Sequence, residues 1–138
     1  MKDKFFQEKE MVAAFMKRLY HKGLTTSSGG NISYRLDEST LLMTPSAIDK
    51  AHISPEQIGV LSINGENLTP ELTPTIEKNM HLAIYKARKD IKAIVHAHPV
   101  TSSAFTVMQR NINTRLLAES RVVIGEPVKV KYATQGTE

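Results

Sequence analysis

The stretch from residue 74 to residue 98 constrains the fold most, because a helical pattern there runs directly into a strand pattern that ends on two histidines. The helical half carries one apolar stripe, formed by Ile76, Met80, Ala83, Ile84 and Ala87. Pro74 suits the first turn of a helix, and Thr73 or Thr75 can cap it. The sequence therefore predicts a helix of about 13 residues that packs through this stripe.

The second half, residues 91–98, alternates with the period of a β-strand. One predicted face carries Ile91, Ala93, Val95 and Ala97, and the other carries Lys92, Ile94, His96 and His98. A strand that returns antiparallel to the helix brings Glu77 opposite the histidines, because the two elements run roughly 26 Å and 20 Å. Glu77, His96 and His98 then form a partial zinc shell.

Composition limits what else such a site can contain. The chain has 138 residues, enough for one domain with its own core, and it has no cysteine. Any metal ion must therefore be bound through nitrogen and oxygen atoms. A histidine taken alone is more often an ordinary surface or core residue than a ligand, so the predicted site depends on the H-x-H pair.

The charge and hydropathy of the chain limit the classes of molecule that we expect it to bind. The net charge of +4 is spread along the chain, which favours an anionic substrate over a nucleic-acid surface. No apolar run approaches membrane-spanning length, and the charged first ten residues carry no signal-like apolar region. We therefore expect a cytoplasmic protein that contacts neither nucleic acid nor membrane.

The remaining patterns predict helices around a sheet. A helix is predicted over 3–22, with Gly23 as its stop and an apolar stripe of Phe5, Val12, Phe15, Met16 and Leu19. Strands are predicted over 32–36, 41–44 and 58–63, with Asn64-Gly65 as a hairpin signal. Several strands before one central helix favour a mostly antiparallel sheet over repeated βαβ units.

A loop rich in Thr, Ser and Gly, residues 24–31, precedes the first strand, and the Thr44-Pro45-Ser46 turn adds further hydroxyls. Glycine lets backbone N–H groups approach an oxyanion closely, so this loop suits phosphate binding, with a plain turn as the alternative.

Beyond His98 the sequence predicts three elements. These are a helix over 101–108 packing through Ala104, Phe105 and Met108, a polar turn over 111–115, and a strand over 128–130. Residues 136–138 indicate a loop that leads to a helix cap.

Five separated stretches together resemble the class II aldolase/adducin family. They are Ser28-Gly29-Gly30-Asn31-x-Ser33, Thr44-Pro45-Ser46, Glu77-x-x-x-His81 with Tyr85, His96-Ala97-His98, and Tyr132-Ala133-Thr134-x-Gly136-Thr137. The resemblance implies an α/β fold of three α/β/α layers with a mostly antiparallel central sheet, in a single domain. It also implies a zinc-dependent lyase that cleaves a ketose 1-phosphate, such as L-fuculose 1-phosphate, to dihydroxyacetone phosphate and an aldehyde. A homotetramer is usual in the family.

The resemblance also implies residue roles. His96 and His98 correspond to ligands of one zinc ion per chain. Glu77 corresponds to the catalytic acid/base residue, which also touches the metal when no substrate is bound. Positions lining the phosphate site correspond to Ser28, Gly29, Asn31, Ser46 and Thr75. The family's third zinc histidine lies beyond residue 138, so we expect this chain to lack the C-terminal third of the family domain.

Three departures leave the substrate open. Ile76, Ala47 and Leu117 stand where the family often has a serine, a glycine and a tyrosine. The alternatives are a pentulose-phosphate 4-epimerase, whose members tend to carry Asp in place of Glu77, a sugar-phosphate dehydratase, and a non-catalytic adducin-like module.

Overall fold

The protein is built on a four-stranded antiparallel sheet. The computed structural model describes residues 3–108, 110–134 and 136. The strands are β1 (Asn31–Arg35), β2 (Thr40–Met43), β3 (Gly59–Ser62) and β4 (Ala93–His96), arranged in the order β3-β2-β1-β4. Every pairing between these strands is antiparallel, which confirms the predicted α/β class and sheet type.

Four α-helices accompany the sheet in the described part of the chain. They are α1 (Phe6–His21), α2 (Lys78–Ala87), α3 (Val100–Val107) and α4 (Ala118–Ile124), with short 3₁₀ turns at Pro55–Gln57 and Thr114–Leu116. The first helix ends where predicted, because Gly23 takes the left-handed conformation at φ 65° that other residues rarely adopt. The chain also turns where Asn64-Gly65 predicts, with the Gly65 N–H donating to Ser62 O at 2.9 Å, although only a single bridge follows.

The helix α1 covers one face of the sheet. Its buried residues Val12, Ala13 and Met16 form a core cluster with Ile32, Leu42, Ile53, Ile58 and Val60. Phe5 and Leu19 pack against this cluster as predicted, but Phe15 is 51% exposed and the prediction is wrong there. Phe15 instead borders a small apolar cavity beside Ala93 and Val95, where α1 passes the edge strand β4.

The helix α2 covers the other face, but with a different side from the predicted one. Its buried residues are His81, Leu82 and Tyr85, and Leu82 and Tyr85 form a second cluster with Leu41. Of the predicted stripe, Ile76 is 60% exposed and Met80 is 40% exposed. Ala83 and Ala87 are also exposed.

The prediction failed because the polar groups of His81 and Tyr85 find hydrogen-bond partners on the sheet, so both side chains can be buried without loss. The helix is also shorter than predicted. It begins at Lys78, whereas Pro74 lies outside it in a bridge to Pro45.

The segment after β4 also differs from its prediction. No residue of α3 is buried: Phe105 is half-buried, whereas Ala104 and Met108 are exposed. Residues 128–130 form no strand. Val128 and Val130 are β-branched and favour extended structure, but no described strand pairs with this segment. The helix α4 was not predicted, although Glu119 in its first turn and Gly125 just after it are ordinary boundary signals. Of the predicted terminal loop and cap, residues 137 and 138 lie outside the described part of the chain.

Candidate active site

The structure brings Glu77, His96 and His98 together at one end of the sheet. Glu77 occupies the N-cap position of α2 without a capping hydrogen bond from its side chain, and His96 is the last residue of β4. The Glu77 carboxylate contacts Nδ1 of His96. On the other edge of the same ring, His96 Nε2 lies 3.1 Å from Nε2 of His98. These three residues therefore form one continuous cluster at the surface.

Backbone pairing sets the position of the histidines. Asn31 of β1 lies opposite His96 of β4, and the His98 N–H donates to Leu24 O at 2.9 Å. The chain from Leu24 to Asn31 thus runs alongside the H-x-H segment. The edge-to-face contact of the two imidazoles, with ring centroids 4.7 Å apart, follows from their i, i+2 spacing.

The two imidazoles fit a metal ion better than the whole trio does. Two ring nitrogens bound to one tetrahedral zinc at ~2.0–2.1 Å lie about 3.3 Å apart, close to the 3.1 Å separation of the two Nε2 atoms. Glu77 approaches the opposite edge of His96. Within residues 3–108, 110–134 and 136, no three His, Asp or Glu side chains are arranged to hold a metal ion.

In this arrangement Glu77 contacts His96 in the way that an outer-shell carboxylate contacts a metal-binding histidine. Ligating histidines commonly donate their second ring N–H to a carboxylate, which fixes the tautomer and orients the ring. A carboxylate only accepts, so Nδ1 of His96 donates to Glu77, which leaves Nε2 as the nitrogen that can bind a metal ion. The predicted role of Glu77 as a direct ligand would require its carboxylate to turn toward Nε2, and it stays a prediction.

Asn31 holds the other side of the Glu77 carboxylate. Its Nδ2 donates to Glu77 Oε2 at 2.6 Å and to Thr75 Oγ1 at 3.2 Å. Burial by itself raises the pKa of Glu77, but the Asn31 hydrogen bond and the neighbouring His96 outweigh it, so that the pKa lies below its ordinary value. Glu77 is therefore ionised at neutral pH.

Behind Asn31 lies a buried histidine whose role the sequence did not indicate. His81 is fully buried, and its ring nitrogens contact Asn31 Oδ1 at 2.5 Å and Ser33 Oγ at 2.6 Å. Burial, reinforced by His96 and opposed by Glu77, lowers the pKa of His81 from 6.5 to about 4. His81 is thus neutral at physiological pH. The only signal was its helical spacing from Glu77 and Tyr85.

The predicted phosphate loop lies against the histidines. A side chain on Gly29 would meet Thr26 Oγ1 at 2.7 Å and His98 Nδ1 at 3.2 Å, so only glycine fits between the loop and the ring. Ser28 is exposed on the same loop. The Lys50 N–H donates to Ser27 O at 2.8 Å, which ties this loop to the segment that follows the Thr-Pro-Ser turn.

The other predicted phosphate residues lie near Glu77. Ser46 Oγ donates to Pro74 O at 3.0 Å, and its N–H donates to Thr73 O at 2.9 Å, so this turn pairs with the segment before α2. Thr75 is buried beside Asn31. Sequence reasoning missed Lys50, whose buried Nζ donates to Pro45 O at 2.7 Å and holds the turn. Burial lowers the pKa of this amine.

A cavity of about 630 Å³ opens beside Glu77. Its lining includes Ile76, Met80 and Ala83 from the predicted apolar stripe, together with Lys86 and Gly136. Ile76 and Met80 are therefore exposed because both border the cavity next to the Glu77 carboxylate and do not face the core. The cavity is large enough for a small phosphorylated sugar.

Sequence comparison places this chain in a known group of proteins. The family model of the class II aldolase and adducin N-terminal domain matches residues 10–138. The chain belongs to the class II aldolase/adducin family. It is 36% identical over 93 residues to 5-deoxy-D-ribulose 1-phosphate aldolase of Bacillus thuringiensis serovar kurstaki, covering 67% of this chain and 44% of that protein.

Two further relatives show the range of this family. The 3-oxo-tetronate 4-phosphate decarboxylase of Haemophilus influenzae is 35% identical over 101 residues. The match covers 73% of this chain and 48% of the decarboxylase. The solved structure of an L-fuculose 1-phosphate aldolase matches with a TM-score of 0.79 at 33% identity, over 94% of this chain and 61% of that one. The resemblance to L-fuculose-phosphate aldolase is thereby confirmed. The chain spans about half the length of the curated relatives it matches.

No helix in the described part of this family member is long and apolar enough to cross a membrane.

Proposed function

We propose that this protein is a metal-dependent aldolase that cleaves a ketose 1-phosphate, such as L-fuculose 1-phosphate, to dihydroxyacetone phosphate and an aldehyde. The observation that carries the proposal is the cluster of Glu77, His96 and His98, of which Glu77 also lines an open cavity. A non-catalytic module has no need of an ionised, hydrogen-bonded carboxylate next to two converging imidazoles.

His96 and His98 are the residues that would hold the metal ion, through their Nε2 atoms. Zinc suits a site that offers imidazole nitrogens and no thiolate. When bound, a divalent zinc ion supplies Lewis-acid stabilisation of the negative charge that develops on the ketose oxygens during cleavage. Glu77 orients His96 through Nδ1, so the chain itself fixes which nitrogen is available to a metal.

Glu77 is the proton-transfer residue of the proposed reaction. Its carboxylate is ionised, and it borders the cavity in which the substrate would lie. As the carbon–carbon bond breaks, the Glu77 carboxylate would take the proton of the hydroxyl group that becomes the aldehyde oxygen, and the electron pair of the bond would stay on the half that keeps the phosphate. Protonated Glu77 then returns a proton to the carbon that the aldehyde has left, and in the reverse direction its carboxylate removes that proton.

The loop of residues 24–31 and the turn at Ser46 would bind the phosphate group and set the register of the sugar. Ser28 presents an exposed hydroxyl, and Gly29 allows the loop backbone to lie close to His98. Ser46 and Thr75 lie on the segments that meet just before Glu77. The amide of Asn31 is already engaged by Glu77 and His81, so its contribution to phosphate binding stays a prediction.

Decarboxylation of a phosphorylated 3-oxo acid is the second candidate, because one relative of comparable identity carries that name. Both reactions break a carbon–carbon bond and leave negative charge next to a carbonyl group, so the same residues serve either one. The 4-epimerase ranks lower because this chain has Glu77 where those members tend to have Asp.

Association into a homotetramer is also part of the proposal. Large apolar side chains are exposed along α4 and the segments beside it, namely Leu116, Leu117, Val122, Val123, Ile124, Val128 and Val130. A monomer rarely leaves so many apolar groups in water, which supports burial of this surface by another part of the assembly.

The test is to incubate the zinc-loaded full-length protein with L-fuculose 1-phosphate, with other ketose 1-phosphates and with a 3-oxo-tetronate 4-phosphate. Released dihydroxyacetone phosphate would be followed in the first cases and carbon dioxide in the last. We expect dihydroxyacetone phosphate from at least one ketose 1-phosphate, and none from the Glu77→Gln variant. Carbon dioxide alone would establish the second candidate, and isomerised sugar phosphate alone would favour the epimerase.

A further inference from the structure

Behind Glu77 lies a continuous row of hydrogen-bonded side chains to which the proposed reaction assigns no role. The helix α2 contributes Glu77, His81 and Tyr85 at intervals of four residues, and β1 contributes Asn31 and Ser33 at an interval of two. Four helical residues advance ~6 Å and two strand residues advance ~6.7 Å. The side chains of the two elements are therefore spaced almost equally along their interface. Asn31 falls between Glu77 and His81, and Ser33 falls between His81 and Tyr85.

The direction of each hydrogen bond follows from the acceptor at the end of the row. The ionised Glu77 carboxylate only accepts, so Asn31 turns its NH₂ group toward it and its Oδ1 toward His81. That oxygen also only accepts, so Nε2 of His81 carries the proton. In a neutral ring Nδ1 is then the acceptor, and it takes the single proton of the Ser33 hydroxyl 2.6 Å away. The Tyr85 hydroxyl closes the row, 3.0 Å from Ser33 Oγ and 3.5 Å from Lys92 O.

We propose that His81 is a positioning residue, held as the neutral Nε2–H tautomer between Ser33 and Asn31, which fixes the Asn31 amide so that its NH₂ group faces Glu77. Without the Nε2–H group, Asn31 Oδ1 would be left buried and unpaired. The amide could then rotate and turn this oxygen toward the carboxylate, which would repel it. The row thus aligns three donors, Asn31, His81 and Ser33, toward one carboxylate, and each hydrogen bond strengthens the next.

The effect on catalysis rests on the proposed function of Glu77, whereas the tautomer and the amide orientation do not. A first measurement therefore uses no substrate. In the ¹⁵N-labelled full chain, long-range ¹⁵N–¹H correlation should show the His81 ring as the neutral Nε2–H tautomer near neutral pH. The side-chain NH₂ signals of Asn31 should be strongly dispersed, as expected for a donor held by a carboxylate. An Nδ1–H tautomer or a charged ring would overturn the proposal.

Two variants at His81 then distinguish its effect on the orientation of Asn31 from its contribution to packing. Gln can place an amide N–H where the Nε2–H of His81 lies, whereas Leu fills similar space without a donor. We expect His81→Gln to keep the dispersed Asn31 signals and a kcat within a few-fold of the wild-type value. We expect His81→Leu to lose those signals and to lower kcat by at least about tenfold, with KM little changed.

A matched control is Leu41→Val, which alters the same buried cluster outside the row. It should change thermal stability but neither the Asn31 signals nor kcat. Wild-type kcat in folded His81→Leu, or an equal loss in His81→Gln, would overturn the positioning role. If His81→Leu does not fold, the wild-type tautomer and the His81→Gln kinetics still decide. A protein with the expected tautomer that cleaves no sugar phosphate would refute the proposed function alone.

Discussion

The carboxylate of Glu77 contacts Nδ1 of His96, the edge of the imidazole opposite the one that faces His98. This relationship gives the three residues of the proposed site separate roles. The two Nε2 atoms point toward each other and would bind the metal, while Glu77 orients His96 and stays available for proton transfer. It also implies that the metal and the carboxylate can be removed separately by mutation.

Replacing His96 by Ala should abolish metal binding, because it removes one of the two converging nitrogens and the residue that Glu77 orients. The metal content of purified full-length protein should be about one zinc per chain, and close to zero in His96→Ala. His52→Ala is a suitable control, since His52 is exposed and contacts only Asp49 among the hydrogen bonds described. Undiminished zinc in His96→Ala would show that the metal is bound elsewhere.

Replacing Glu77 by Gln should leave zinc in place and remove most of the turnover. Gln keeps the shape of the side chain but cannot take up and return a proton at the substrate carbon. The rate should fall by roughly 10²–10⁴-fold, the usual contribution of a general acid/base group. Zinc content and substrate cleavage should be measured on the same sample of Glu77→Gln. Turnover within a few-fold of the wild-type rate would exclude Glu77 from proton transfer.

Replacing Asn31 by Leu should shift the acid limb of the pH–rate profile to higher pH. The Asn31 hydrogen bond is one of the contacts that lower the pKa of Glu77, so its loss raises that pKa. The wild-type carboxylate stays ionised to lower pH than the variant carboxylate does. The measurement is kcat/KM across the acidic range, and an unmoved or lowered midpoint in Asn31→Leu would contradict the prediction.

His81 should make the fold less stable in acid. Its pKa falls from 6.5 to about 4 on folding, so the unfolded chain takes up a proton that the folded chain excludes, and stability is lost as the pH falls from 6.5 toward 4. Between about pH 7 and about pH 5 this one group should cost about 2 kcal/mol of unfolding free energy. Urea unfolding at both pH values should show a smaller loss for His81→Gln, which cannot titrate. An identical pH dependence in both proteins would mean that His81 is not neutral when buried.

Local periodicity was sufficient for the elements that carry the site. The alternation over residues 91–98 predicts that His96 and His98 share one side, and their Nε2 atoms do lie 3.1 Å apart. The placement of Glu77 near the start of a helix that leads back into this strand predicts its approach to His96. Both inferences hold because the spacing of residues along a helix or strand is set by backbone geometry alone.

The buried face of α2, by contrast, was decided by tertiary structure. By hydrophobicity the stripe through Ile76, Met80 and Ala83 is the better core face, yet these residues are exposed and the polar His81 and Tyr85 are buried. What permits this burial is a pair of partners on β1, Asn31 and Ser33, about 50 positions earlier in the chain. Sequence spacing cannot show that a helix step of four residues matches a strand step of two across a packed interface.

The same distinction explains the other differences. Residues 128–130 have the composition of a strand, but a strand needs a partner edge, and no described strand provides one. The sequence by itself determined which segments are helical or extended around the site and which groups can carry its chemistry, because these follow from local spacing and residue type. Only the tertiary structure decided which polar groups are buried, which nitrogen of His96 faces the carboxylate and which way Asn31 is turned, because each depends on hydrogen-bond partners that are distant in the chain.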